Sequence, residues 1–188
     1  AASKARRAAQ TALYAVLSSL TRLLAPMLTF TTEEIWQTFF RTDDLPTVQL
    51  AAWPESQPEW RDDELLARFD RALELRREVY RGIERARESN LFKKPLDGQV
   101  AIEAPAEYAL LVDQLEAEGL PLAEFLIVSR AVCGTDPVDD PIYESDRIAG
   151  LRVAVSRAEG ERCPRCWHVV PGLAEGKGLC ARCAEVVM

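Results

Sequence analysis

The sequence predicts a mainly α chain: a helical bundle first, then a small α+β unit, then a four-cysteine ribbon at the carboxyl end. Three observations predict it. Apolar residues recur at three- and four-residue spacing over most of residues 2–89. After Pro95 the apolar runs shorten and turn strand-like. Four of the five cysteines fall in the last 26 residues as two Cys-x-x-Cys pairs. The domains expected are 1–94, 95–158 and 159–188.

Residues 2–24 read as an amphipathic helix with Leu13, Val16, Leu17, Leu20, Leu23 and Leu24 on its apolar stripe and Pro26 as its stop. Thr31 followed three residues later by Glu34 is a capping box, and Phe30 with Ile35 can form the hydrophobic staple, so a second helix is expected from there through Ile35, Trp36, Phe39 and Phe40. Pro46, Pro54 and Pro58 restrict residues 41–61 to a loop with one short extended piece, Thr47 to Leu50. Asp62, Asp63 and Glu64 suit the positive end of a helix dipole, and Leu66, Phe69, Leu73, Tyr80 and Ile83 continue as one apolar face to about Ser89. The arginines of this third helix are interleaved with acids at helix-pair spacing and are expected to be largely self-paired. Beyond Pro95, Gln99 to Glu103 reads as a strand, Ala106 to Glu118 as a helix, Phe125 to Val132 as an apolar β-branched run, and Leu151 to Ser156 as an alternating strand. Cys133 to Ile142 reads as a turn-rich connection.

With 188 residues, 48% hydrophobic and 28% charged, the chain can bury real cores, which excludes disorder and collagen-like order. No run approaches the roughly 18 apolar residues of a membrane span, and the first twenty residues carry Lys4, Arg6 and Arg7 without a signal-type apolar stretch. A soluble, cytoplasmic protein with no membrane partner is expected. The chain opens on Ala1-Ala2-Ser3 and enters a helical pattern at once, so it is expected to be a piece of a longer protein, with any catalytic part outside it. The net charge of −7 argues on its face against a polyanion partner. The charge is segregated, however: residues 1–30 carry +4, 31–65 carry −7, 66–95 carry +4, 96–150 carry −10 and 151–188 carry +2. Folding the basic segments onto one face would admit a polyanion; solvated helix faces are the plainer reading.

Cys163-Pro-Arg-Cys166 and Cys180-Ala-Arg-Cys183 have 13 residues between them, a spacing specific for zinc. Each pair makes a tight knuckle that turns two thiolates to one side, and two knuckles joined by a short hairpin supply a tetrahedral four-sulfur site. Gly172, Gly176 and Gly178 allow the return. Disulfides are rare in the reducing compartment expected here, and a redox motif needs one pair, not two. Four sulfurs leave no position for water, so the one zinc is structural. It must supply the folding free energy of a tail too short for a core. Four thiolates leave a formal −2 around the ion, which Arg162, Arg165, Lys177 and Arg182 partly balance. His168, the only histidine, follows a ligand by two residues and is not needed by the metal. Trp167 either covers the knuckle or offers a platform on which a base stacks. Cys133 reads as a small buried hydrophobe. No catalytic residues emerge: one histidine gives no triad, no Gly-rich phosphate loop is present, and no carboxylate pair stands apart from the surface acids.

Leu23-Leu24-Ala25-Pro26-Met27-Leu28-Thr29-Phe30 running into Glu33-Glu34-Ile35-Trp36, Val48-Gln49-Leu50 with Trp53-Pro54, and Leu75-Arg76-Arg77-Glu78-Val79 with Ile83-Glu84-Arg85-Ala86-Arg87 resemble the anticodon-binding helical domain of the isoleucyl, valyl and leucyl class I aminoacyl-tRNA synthetases. Gly160-Glu161-Arg162-Cys163-Pro164-Arg165-Cys166-Trp167-His168 with Leu179-Cys180-Ala181-Arg182-Cys183 resembles the carboxyl-terminal zinc unit of the bacterial isoleucyl enzymes. In place of the family's Ile-Gly-x-Ser-Leu-Glu-Ala-like stretch stands Leu91-Phe92-Lys93-Lys94-Pro95-Leu96-Asp97-Gly98. The resemblance implies an anticodon-binding bundle in a ligase that activates isoleucine with ATP and esterifies it to tRNA. The family's ATP-binding motifs and editing domain are absent from this sequence, so the chain itself is expected to be inactive. Its implied partners are isoleucine tRNA, through the anticodon stem and loop, and the rest of the synthetase chain, in a monomer. RNA contacts are expected from Lys4, Arg6, Arg7, Arg165, Trp167, Lys177 and Arg182. Two other readings compete: the zinc finger of formamidopyrimidine-DNA glycosylases, whose partner is duplex DNA, and a zinc-ribbon protein-interaction module.

Overall fold

The computed structural model describes residues 3–187, and of Ala5 the backbone alone. The chain divides between Arg61 and Asp62 into two compact units, each described by itself.

In the first unit, α1 (Lys4–Leu24) begins where Ser3 Oγ accepts from the Arg6 N–H at 3.3 Å. The expected start at Ala2 lies outside the described residues. The next helix, α2 (Thr29–Phe39), starts two residues before the expected capping box. Thr31 therefore lies inside the helix, caps nothing, and Phe30 is 91% exposed, so neither box nor staple forms. The turn from α1 is closed instead by Met27 and Leu28 N–H groups donating to the Leu24 carbonyl at 3.0 and 2.8 Å, which carries the chain into α2 without a side-chain cap. Trp36 anchors the unit: its ring is buried with Ala25 and Val48, and its Nε1–H donates to the Leu45 carbonyl at 3.0 Å. Glu33 accepts from Thr47 Oγ1 at 2.6 Å, Gln37 Nε2 at 2.6 Å and the Val48 N–H at 3.1 Å, and these bonds, the one from Thr47 foremost, hold its carboxyl below the ordinary value. They pull residues 47–50 back onto α2. Val48–Leu50 is a 3-10 turn as a result, not the extended piece expected. The predicted apolar stripe of α1 is also only partly used. Leu13, Val16, Leu20 and Leu23 are exposed, because α2 and the 3-10 turn cover the side that carries Thr21 and Ala25.

The second unit is built on α3 (Asp63–Glu88), capped by Asp62 Oδ1, which accepts from the Leu65 N–H at 2.9 Å. The helix ends with Asn90 at φ 59° and the Leu91 N–H donating to the Ala86 carbonyl at 3.0 Å, the left-handed closure asparagine tolerates. Its buried face is Ala72, Leu75, Glu78, Val79, Gly82, Ile83 and Ala86. Leu66 and Leu73, expected on that face, are exposed, since the face that meets the core runs through Ala72, Leu75, Val79, Gly82, Ile83 and Ala86. The sheet has the order β2-β1-β4-β3, from β1 (Gly98–Glu103), β2 (Arg130–Gly134), β3 (Tyr143–Glu144) and β4 (Arg152–Arg157). β1 and β2 run parallel and are joined by α4 (Ala106–Ala117) and α5 (Leu122–Leu126); β4 runs antiparallel to both of its neighbours. Helices α3, α4 and α5 cover one face, burying Val100, Ile102 and Val153 with Leu75, Val79, Ile83, Leu111 and Leu126. Cys133 is half-buried against this core, and burial pushes its thiol up to about 11.

Because α3 is the principal helix of this core, the contacts separate at 61/62 and not at the expected 94/95. The arginines of α3 likewise reach further than expected. Arg87 pairs with Glu84 within the helix at 2.9 Å, but Arg68 reaches Glu118 at 2.6 Å, Arg71 reaches Glu107 at 3.0 Å and Arg81 reaches Asp146 at 3.2 Å. A Cβ on Gly82 would stand 3.0 Å from Val153 Cγ1, whose side chain has no free space to yield. Gly82→Ala should therefore destabilise the unit by about 1–2 kcal/mol despite the better helix propensity of alanine, read as a lower urea midpoint.

Candidate metal centre

The tail folds as two short strands, β5 (Glu161–Arg162) and β6 (Val169–Val170), followed by a bridge between Ala174 and Leu179 and the one-and-a-half-turn helix α6 (Ala181–Val186). Gly160 opens the hairpin at φ +125°, and an added Cβ would lie 2.0 Å from the Val170 carbonyl oxygen, so only glycine fits there. The Cys163–Cys166 knuckle is closed by the Trp167 N–H donating to the Cys163 carbonyl at 2.8 Å and the Cys163 N–H donating to the His168 carbonyl at 2.9 Å.

The four Sγ atoms of Cys163, Cys166, Cys180 and Cys183 lie within 4.8 Å of one another, three of them on buried residues. Cys166 Sγ and Cys180 Sγ are 3.6 Å apart, close to the edge of a tetrahedron with metal–sulfur bonds of about 2.3 Å. The Cys180 N–H donates to Cys163 Sγ at 3.4 Å. The backbone N–H groups of Cys166 and Cys180 hold the Cys163 thiol down to about 6, while at Cys180 the Cys183 backbone lowers the thiol but burial and the neighbouring cysteine sulfurs outweigh it and push the group up to about 11. All five cysteines are free thiols. An all-thiolate tetrahedral donor set of this size fits zinc, and no disulfide competes for the sulfurs. The ring of His168 stands apart, its Nδ1 3.3 Å from the Cys166 carbonyl oxygen. Among the described residues, Val170, Leu173 and Leu179 pack against the cysteines, and Ala184 is buried beside them in sequence.

Polar contacts fasten this tail to the α+β unit. Arg162 pairs with Asp97; the Val169 N–H donates to Ser129 Oγ at 2.7 Å while Ser129 Oγ–H donates to the Leu96 carbonyl at 2.5 Å; Arg182 pairs with Glu124. Sequence reasoning missed Asp97, Ser129 and Glu124, because no spacing rule connects them to the knuckles across 40 to 65 residues.

The expected RNA-contacting residues fall in two groups. Lys4, Arg6 and Arg7 are exposed on the first turn of α1, in the first unit. Arg165, Trp167, Lys177 and Arg182 are all exposed in the zinc tail. Lys177 Nζ donates to the Ala184 carbonyl at 3.3 Å. Burial lowers the Arg182 guanidinium, but Glu124 and the sulfurs of Cys166 and Cys183 outweigh it and hold the group above its ordinary value. Arg182 is paired with Glu124 and Arg162 with Asp97. Trp167 is more than half exposed, at 56%. It takes φ +66°, with Lys94 Nζ 5.3 Å from the ring centroid.

Among the described residues, no helix is long and apolar enough to cross a membrane. Residues 160–186 match the family described as the zinc finger found in FPG and IleRS. The chain is 41% identical over 193 residues to an isoleucine–tRNA ligase of Moorella thermoacetica, 36% over 190 residues to one of Natranaerobius thermophilus and 40% over 186 residues to one of Desulforudis audaxviator. Those alignments take in 100%, 98% and 97% of this chain but 20% of each relative, so the chain spans about a fifth of the length of the proteins it matches. The DNA-glycosylase reading of the finger is not favoured, since what precedes it matches the family described as the anticodon-binding domain of tRNA ligase over residues 1–102. With that match across more than half its length, the chain belongs to the anticodon-binding domain family of tRNA ligases.

Proposed function

We propose that the chain holds the anticodon stem and loop of isoleucine tRNA as the carboxyl-terminal part of an isoleucine–tRNA ligase, and that Cys163, Cys166, Cys180 and Cys183 ligate one structural zinc. When bound, the zinc supplies a rigid cross-link between the two knuckles. Catalysis, with its ATP, belongs to the four-fifths of the relatives' length that this chain does not span. Holding the anticodon far from the reacting atoms contributes to rate by positioning the acceptor end.

The observation that carries this reading is Trp167. A bulky residue in the left-handed region is costly, and the knuckle keeps it there with an exposed ring, which a merely structural cover does not need. An exposed indole with a lysine ammonium beside it is a stacking platform for an unpaired base, and anticodon loops supply such bases. In this reading Arg165, Lys177 and Arg182 contact loop phosphates beside the platform, while Lys4, Arg6 and Arg7 contact phosphates from the first unit. The chain acts as a monomer.

Two results test it. Isoleucine tRNA should displace a labelled isoleucine anticodon stem-loop from the zinc-loaded chain at lower concentration than valine tRNA or duplex DNA; equal competition by DNA contradicts the reading. Trp167→Ala should weaken stem-loop binding by about 1–3 kcal/mol with zinc content unchanged. Unchanged affinity in that variant removes the stacking role.

A further inference from the structure

Lys94 lies outside the zinc tail, at the end of the basic segment 66–95, and was not among the residues expected to contact RNA, yet its Nζ stands 5.3 Å from the centroid of the exposed indole. Its place is fixed from both sides. On one side Phe92 is buried in the large core, 4% exposed, and on the other Pro95–Asp97 turns back as a 3-10 segment with the Asp97 N–H donating to the Lys94 carbonyl at 2.8 Å. Lys93 and Lys94 are left facing solvent between these anchors. The same short segment carries the tail: Asp97 pairs with Arg162, and the Leu96 carbonyl accepts from Ser129 Oγ, which in turn accepts from the Val169 N–H. The contacts that dock the zinc unit are therefore the contacts that bring Lys94 over Trp167. The Asp97 carboxylate is engaged by Arg162.

A cation over one part of an exposed ring can be a tether for the side chain. It can also be half of a nucleotide site, since an ammonium has three donors and the indole occupies none of them in a directed hydrogen bond. The chemistry of the pair fits one unpaired nucleotide, with a flat base for the indole and a phosphate for the ammonium. We infer that Lys94 is an RNA-binding residue of this chain: it takes the phosphate of the nucleotide whose base stacks on Trp167, so that the site is completed across the seam between the α+β unit and the zinc tail. This rests on the stacking reading of Trp167 given above.

The test uses the zinc-loaded chain and the isoleucine anticodon stem-loop, with affinity measured across a range of KCl concentrations for wild type, Lys94→Gln, Lys94→Arg and Trp167→Ala. Zinc content and thermal midpoint are recorded for each. Lys94→Gln should weaken binding several-fold near 0.1 M salt and reduce the magnitude of the log–log salt slope by about 0.7 to 1, the loss of one phosphate contact. Lys94→Arg should keep the slope. Trp167→Ala should weaken binding and leave the slope within about 0.3 of wild type, because the phosphate contact persists. Weakened binding with an unchanged slope in Lys94→Gln would reduce Lys94 to a tether of the ring and overturn the inference. So would unchanged affinity in Lys94→Gln beside a weakened Trp167→Ala, an outcome that leaves the anticodon-binding reading standing. Unchanged affinity in every variant, or no binding by the wild type, defeats both.

Discussion

Stripping zinc from the loaded chain with a chelator should unfold residues 159–187 while the α+β core stays folded. The two parts depend on different sources of stability. The core buries a continuous cluster from Ala72 to Val153 and needs no ion. The tail buries its cysteines with Val170, Leu173 and Leu179, far too little apolar surface to offset the ordering of nearly thirty residues. Zinc-finger peptides gain about 10–16 kcal/mol from the metal, which is their folding free energy. Without it four thiols in close contact share only hydrogen bonds such as that from the Cys180 N–H to Cys163 Sγ. Hydrogen exchange should show the amides of Cys163, Trp167 and Ala174 losing protection on chelation, while those of β1 and β4 keep theirs. Cys163→Ser, which removes the fully buried ligand, should reproduce the effect and lose stoichiometric zinc. Retained protection throughout the tail after chelation would mean that the docking contacts to Asp97, Ser129 and Glu124 suffice alone.

The second large effect is at Glu78, whose side chain is 1% exposed beneath the sheet. Its Oε2 accepts from the hydroxyls of Tyr143 and Ser145, both at 2.6 Å, and Arg81 Nη1 lies 3.5 Å from Oε1. Ser145 Oγ also accepts from the N–H groups of Arg147 and Ile148 at 3.1 and 3.0 Å, so the carboxylate ties α3 to β3 and to the turn before β4. Burial pushes the Glu78 carboxyl up, but Ser145, Tyr143, Arg81 and Arg147 outweigh it and leave the group below its ordinary value of 4.5. A depressed folded value means that the carboxylate contributes stability above the unfolded value and loses it as pH falls through the folded one. Glu78→Ala should cost about 3–5 kcal/mol at pH 7, the effect of orphaning the partners of a buried charge. Glu78→Gln should cost less, and its deficit against wild type should be constant from pH 7 to 5 and shrink below about 4.5. A deficit that stays the same at pH 3 would show that the charge of Glu78 contributes nothing.

Features that depend on local spacing were legible in the sequence. The paired Cys-x-x-Cys knuckles, the acidic start of α3 at Asp62, Asp63 and Glu64 and the strand read at Gln99 to Glu103 each require only neighbours along the chain, and all three appear in the structure. What failed was decided by tertiary partners. Thr31 had the right neighbour for a cap, but the chain leaves α1 in a turn tight enough to start α2 at Thr29. Leu66 and Leu73 had the right period for a buried face, but the close approach of Gly82 to Val153 rotates the helix so that Ala72, Leu75 and Val79 meet the core. Within the candidate site, the ligand set was readable, while Lys94 and the docking partners of the tail were not, since their pairing exists only once β1, β2 and the knuckles are folded together.

The affinity of the chain for the isoleucine anticodon stem-loop with and without zinc tests most directly whether a metal knot presents the RNA-reading surface. Binding at least tenfold tighter for the zinc-loaded chain, restored when zinc is returned after chelation, is the expected result. Equal affinity in the two states, with chelation verified by elemental analysis, would contradict it.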